Sequence, residues 1–152
     1  MKVVIVCVSV SHGNTLRVAR AMAPVLDARV VAPEEVDPAE AAAADLVGFG
    51  SGVFLGRLHP RLTDFVRALP AGRGRAFTFA TSGFPGMPVA PFGGPLVRPL
   101  EGKGFEVVGN FSCRAHDTWG PLRLVGGIHA RRPDADDLAA ARAFARRLRD
   151  RG

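Results

Sequence analysis

The first apolar pattern along the chain is continuous, not alternating. Lys2 to Val8 is a β-branched run, which predicts a strand buried on both faces, as in a parallel sheet. It gives way to Ser9-Val10-Ser11-His12-Gly13-Asn14-Thr15, a stretch of loop and cap residues. Leu16, Ala19, Ala23 and Leu26 then recur at helical spacing, with Arg17 and Arg20 off that face. Pro24 is expected to shorten or kink this helix. Strand, polar loop and helix make the first unit.

The alternation repeats. Ala28 to Ala32 is a short strand, Pro38 to Ala44 an Ala-rich helical turn or two, and Asp45 to Ser51 a third apolar run. Pro60 opens a helix as a first-turn proline, with Leu62, Phe65, Val66 and Leu69 facing inward. Arg75 to Thr81 is a fourth strand, Gly94 to Leu100 a short helix interrupted by Pro95 and Pro99, and Phe105 to Ser112 a fifth strand. Asp134 to Arg149 is the last helix, with acids at the end where the helix dipole favours them. Leu138, Ala141, Ala145 and Leu148 form its stripe, with Phe144 beside it. Five strands alternating with helices predict one α/β domain over residues 1–152. Its architecture is three layers, α/β/α, around a five-stranded parallel sheet.

Two connections are long, Gly83 to Gly93 and Ala115 to Pro133. Long ordered loops in a compact domain are usually functional. Like Ser9–Thr15, both follow the carboxyl ends of predicted strands, the edge at which open α/β sheets bind ligands. The Ser9–Thr15 loop presents hydroxyls and backbone N–H groups at a helix N-terminus, which suits an anion such as a phosphate. It is not a Walker loop, for no Gly-Lys-Ser/Thr follows. Gly48-Phe49-Gly50-Ser51-Gly52-Val53 lacks the third glycine of the dinucleotide fingerprint. A mononucleotide fits better than either.

With these residues the sequence resembles the flavodoxin family along nearly its whole length. Gly13-Asn14-Thr15 stands where that family binds the phosphate of FMN. Asp45 to Ser51 is similar to its third strand, leading into a first ring-covering loop, Gly52-Val53-Phe54-Leu55-Gly56. Thr81-Ser82-Gly83-Phe84 resembles the second. The run from Phe111 through Cys113, His116, Asp117, Thr118 and Trp119 to Pro121 resembles one seen in many prokaryotic flavodoxin-like proteins. The resemblance implies FMN as cofactor, with Ser9, Val10, Ser11, His12, Gly13, Asn14 and Thr15 around its phosphate. Gly52, Val53, Phe54, Thr81, Ser82, Gly83, Phe84 and Trp119 would lie near its ring. Val10 and His12 depart from the hydroxyl residues common in the family, and the chain has no Tyr to stack on the flavin. Phe54, Phe84 and Trp119 are the aromatic candidates, Phe54 and Trp119 foremost.

Electron transfer between partner proteins is the activity this implies. An FMN-dependent NAD(P)H oxidoreductase of quinone or protoporphyrinogen type is the alternative. Cys113, His116, Asp117 and His129 could suggest a metal or a nucleophile, but no Cys-x-x-Cys, His-Glu-x-x-His or nucleophile elbow accompanies them. Cys7, inside the first strand, reads as inert core, and His59 before Pro60 as a cap or solvated residue.

Charge adds one complication. The chain carries 20 Lys+Arg against 14 Asp+Glu, a net +6, with a pI near 10.9. Eighteen of those cations are Arg, and residues 121–152 alone hold eight Arg and four Asp. Nucleic acid is not the expected partner, since no aromatic–basic interleaving or nucleic-acid motif accompanies the charge. Flavodoxins tend to be acidic, so the charge departs from the resemblance. Arg57, His59, Arg61, Arg114, His116 and Arg123 flank the expected ring loops, which predicts a less negative potential and redox partners with acidic docking surfaces. Two cysteines exclude a disulfide framework. The amino-terminal apolar stretch is too short to span a bilayer and lacks a small-residue cleavage site, so a cytoplasmic location is expected.

Overall fold

The structure, a computed structural model, describes residues 1–9, 14–54, 57–82, 94–114 and 135–151. Five strands form the expected parallel sheet: β1 (Val3–Val8), β2 (Ala28–Val31), β3 (Leu46–Phe54), β5 (Arg75–Ser82) and β6 (Glu106–Arg114). Their order is β2-β1-β3-β5-β6. Between β3 and β5 in the chain comes β4 (Arg57–Leu58), which pairs antiparallel to the end of β3. The helices are α1 (Asn14–Leu26), α2 (Pro38–Ala42), α3 (Pro60–Ala68), α4 (Gly94–Gly102) and α5 (Ala135–Arg151), with a 3-10 turn at Pro33–Glu35.

Every residue of β1 is buried, as its unbroken apolar run requires of a central parallel strand. Val4, Val6 and Val8 pack into one core layer with Val47, Phe49, Leu62, Phe65 and Leu100. Val3, Ile5 and Cys7 point the other way, among Val18, Met22, Phe77, Phe79, Phe144 and Leu148. The first layer lies under α3 and α4, the second under α1 and α5.

The glycines of β3 belong to this second layer. Gly48 pairs with Phe77 and Gly50 with Phe79 across β3 and β5, and a Cβ at either glycine would overlap the opposite ring. The fragment that partly matches a dinucleotide fingerprint is therefore strand interior, with Gly48 and Gly50 making room for aromatic rings.

Several sequence expectations shift. The buried face of α1 is Thr15, Val18, Ala19, Met22 and Leu26, while Leu16 and Ala23 pack only partly. The helix contacts β1 and α5 together, which rotates its buried stripe. Pro24 lies within α1 without ending it. The helix stops instead at Asp27, whose φ of 52° leaves the right-handed helical region. The face expected for α3 is buried as read, with Leu62, Phe65, Val66 and Leu69 all in the core. On α5, Ala141, Phe144, Ala145 and Leu148 are buried and Leu138 is partly so.

Candidate functional site

The carboxyl edge of the sheet is where chemistry collects. Val8 of β1 pairs with Ser51 of β3, and Ser51 with Ala80 of β5. One row beyond, Gly52 pairs with Thr81, and Thr81 in turn with Cys113 of β6. Ser9 leaves β1 at this edge, and α1 begins there at Asn14.

Four polar residues tie the edge together. The Ser9 Oγ accepts a hydrogen bond from the Leu16 N–H at 3.2 Å, satisfying one of the amides that a helix start leaves without a partner. Thr15 is 3% exposed and Thr81 5%, and their Oγ1 atoms lie 2.8 Å apart in a hydrogen bond between α1 and β5. Gly52 sits beside this pair, since a Cβ there would be 3.6 Å from the Thr15 Oγ1 and 3.8 Å from the Thr81 Oγ1. The Asn14 Oδ1 is buried without a hydrogen-bond partner. Rotating that carboxamide presents its NH2 instead at little steric cost. The residues thus fit an anion at the start of α1: hydroxyls, a side-chain amide and the positive end of a helix.

Gly52, Val53 and Phe54 do not form an open loop. They extend β3, with Val53 pairing to Ser82 of β5 and with Val53 and Phe54 facing Leu58 and Arg57 of β4. Thr81 and Ser82 likewise end β5 instead of opening a loop. Extension satisfies backbone donors and acceptors that a loop would leave to water. The hairpin so made is latched at its base: the Ser51 Oγ donates to the Gly52 carbonyl at 2.9 Å and accepts from the His59 N–H at 3.2 Å. Ser51 is fully buried, a role that nothing local in the sequence signals. Val10, Ser11, His12, Gly13, Leu55, Gly56, Gly83, Phe84, His116, Asp117, Trp119, Arg123 and His129 lie outside the described residues.

His59 caps α3, its Nδ1 accepting from the Arg61 N–H at 3.1 Å. Arg61 grips Glu34 with two guanidinium nitrogens, its Nε donating at 2.7 Å and a terminal nitrogen to the other carboxylate oxygen. That contact holds the Glu34 carboxyl below its usual range. Both basic side chains described near the first ring segment are therefore already engaged. Cys7 lies buried in the core, and burial pushes its thiol up to about 12.

Among the described residues, positive charge also gathers elsewhere. Arg146, Arg147, Arg149 and Arg151 occupy the second half of α5, exposed to solvent. The Arg151 guanidinium donates to the Val108 carbonyl near the start of β6, so this end of α5 lies at the sheet edge opposite the site. At 1.5 Å per residue, Arg146 is ~16 Å along the helix from its start. Among the described residues no helix is long and apolar enough to cross a membrane.

Comparison with known proteins agrees with this fold. Residues 5–80 match the family model described as a flavodoxin domain. The chain is 34% identical over 148 residues to an uncharacterised protein of Methanocaldococcus jannaschii, covering 97% of this chain and 98% of that one. Among solved structures it is similar to oxidised Flavodoxin 2 from Bacillus cereus, with a TM-score of 0.72, 20% identity and full coverage of both chains. It is likewise similar to a flavodoxin from the domain Archaea, with a TM-score of 0.71, 18% identity and coverage of 99% and 98%. Half of the sequence matches the family model and the fold matches throughout: the chain belongs to the flavodoxin family.

Proposed function

We propose that this protein binds FMN and carries electrons between partner proteins. The observation that carries the reading is the polar edge at the start of α1, where Ser9, Asn14, Thr15 and Thr81 meet. Thr15 and the first amides of α1 would hold the phosphate, with the Asn14 carboxamide turned to donate. Gly52, Val53 and Phe54 of β3, with Thr81 and Ser82 of β5, would bring backbone to the ring. Val10, Ser11, His12, Gly13, Gly83, Phe84 and Trp119 complete the proposed set. FMN supplies the redox chemistry when bound, accepting and releasing one or two electrons. The protein positions it, excludes water from its phosphate and sets the local field.

The same reading extends to partners. Arg146, Arg147, Arg149 and Arg151 of α5 lie toward the sheet edge opposite the site, and screening over about 8 Å at physiological salt weakens their effect there. They favour approach of acidic protein surfaces by long-range attraction and leave local tuning of the cofactor to groups at the site itself.

Titration of purified protein with FMN, followed by visible absorbance and flavin fluorescence, tests the proposal. Saturable binding supports it, and a colourless protein that takes up no FMN ends it. Direct turnover of NAD(P)H with a quinone, without a separate reductase, would instead assign the oxidoreductase activity.

A further inference from the structure

The geometry points to Thr81 as a positioning residue for the phosphate end of the nucleotide, acting through Thr15. This rests on the FMN reading above. Thr81 and Thr15 are 66 positions apart in sequence, yet their hydroxyl oxygens are 2.8 Å apart and buried. Two hydroxyls in one hydrogen bond spend one proton and leave the acceptor's own proton unspent.

The order of donation decides what the site offers. If Thr15 donated to Thr81, its oxygen would turn lone pairs toward an anion at the start of α1. When Thr81 donates, the Thr15 proton is free for that anion. The chain of donors from Thr81 to Thr15 to phosphate oxygen is then mutually polarised. An anion selects this second order, because only it replaces repulsion with a charge-assisted hydrogen bond.

Thr81 is well placed to impose it. β5 is an interior strand, and the Thr81 backbone is held by Gly52 on one side and Cys113 on the other. Its β-branched side chain has few rotamers. The Ser9 Oγ is engaged with the Leu16 N–H, whereas the Thr81 Oγ1 is the hydroxyl bonded to Thr15. Thr81 thereby couples the phosphate end of the site to the end of β5.

The test titrates the full chain and its variants with FMN and with riboflavin, which lacks the phosphate. Thr81→Val keeps the shape and removes the donor. It is expected to weaken FMN binding roughly tenfold and riboflavin binding severalfold less, because the Thr81 backbone toward the ring stays paired with Gly52 and Cys113. Thr81→Ser restores the hydroxyl and is expected to recover FMN binding. Thr15→Val with Thr81→Val should bind FMN no more weakly than Thr15→Val alone, since the two act as a unit. If Thr81→Val does not fold, Thr81→Ala is read the same way.

Unchanged FMN affinity in Thr81→Val, or equal weakening of FMN and riboflavin, overturns the inference while the FMN reading stands. Wild-type protein that binds no FMN overturns both.

Discussion

The ring of Phe79 on β5 occupies the space that a side chain at Gly50 on β3 would need. Phe79 is 2% exposed and lies 6.1 Å from the Phe77 ring, which in turn meets Phe144 of α5 edge-on at 5.9 Å. The glycine cannot gain a methyl without moving a ring held in a packed cluster.

Gly50→Ala is therefore expected to lower unfolding free energy by about 1–3 kcal/mol through overpacking. Combining it with Phe79→Leu should cost less than the sum of the two single changes. Urea denaturation of the four proteins in the cycle measures this. Strict additivity would mean that the ring and the glycine do not share the space.

Lys103, one of two lysines in the chain, closes the carboxyl end of α3. Its ammonium donates to the Arg67 carbonyl at 2.8 Å and to the Leu69 carbonyl, groups that the helix end leaves without partners. Lys103→Met keeps the aliphatic stem and removes the donors. A loss of about 1.5–2 kcal/mol in chemical denaturation is expected, at the lower end of the range for hydrogen bonds from charged groups. No change in the midpoint would refute the cap.

Acid should weaken the join between Glu34 and Arg61. The Glu34 carboxyl lies below its ordinary 4.5, chiefly through the Arg61 hydrogen bond. A lowered folded-state value means stability that is present above 4.5 and lost as pH falls through the lowered value. Wild type should therefore lose stability faster on acidification below pH 4.5 than Glu34→Gln does. Urea midpoints measured across that range decide it, parallel curves counting against the pair.

Cys7 is 5% exposed, and burial raises its thiol from 9.0 to about 12. A raised value gives stability that is full below 9.0 and declines as pH climbs toward 12, where the unfolded chain ionises and the folded one resists. At pH 8, in a Cys113→Ser background, Cys7 is expected to react with a thiol reagent only at the rate of unfolding. Rapid labelling of the native protein would contradict this.

Local pattern determined much about this protein. The unbroken run of β1 required burial on both faces, and the alternation of strands with helices required crossovers that make a parallel sheet. That placed Ser9, Asn14 and Thr15 at the carboxyl edge, and the spacing of α3 named its buried face. Periodicity carries such information because each segment's own residues decide it.

Tertiary structure decided what depends on residues distant in the chain. Gly48 and Gly50 gain their meaning from Phe77 and Phe79, Thr15 from Thr81, and Ser51 from His59. Gly52 to Phe54 become strand because β5 and β4 offer their backbone partners. The buried stripe of α1 turns to meet β1 and α5 at once. Even the positive charge, countable from sequence, acquires direction only when α5 carries its arginines to the edge opposite the site. Each outcome is a contact across the fold, and no local pattern encodes which partner will be there.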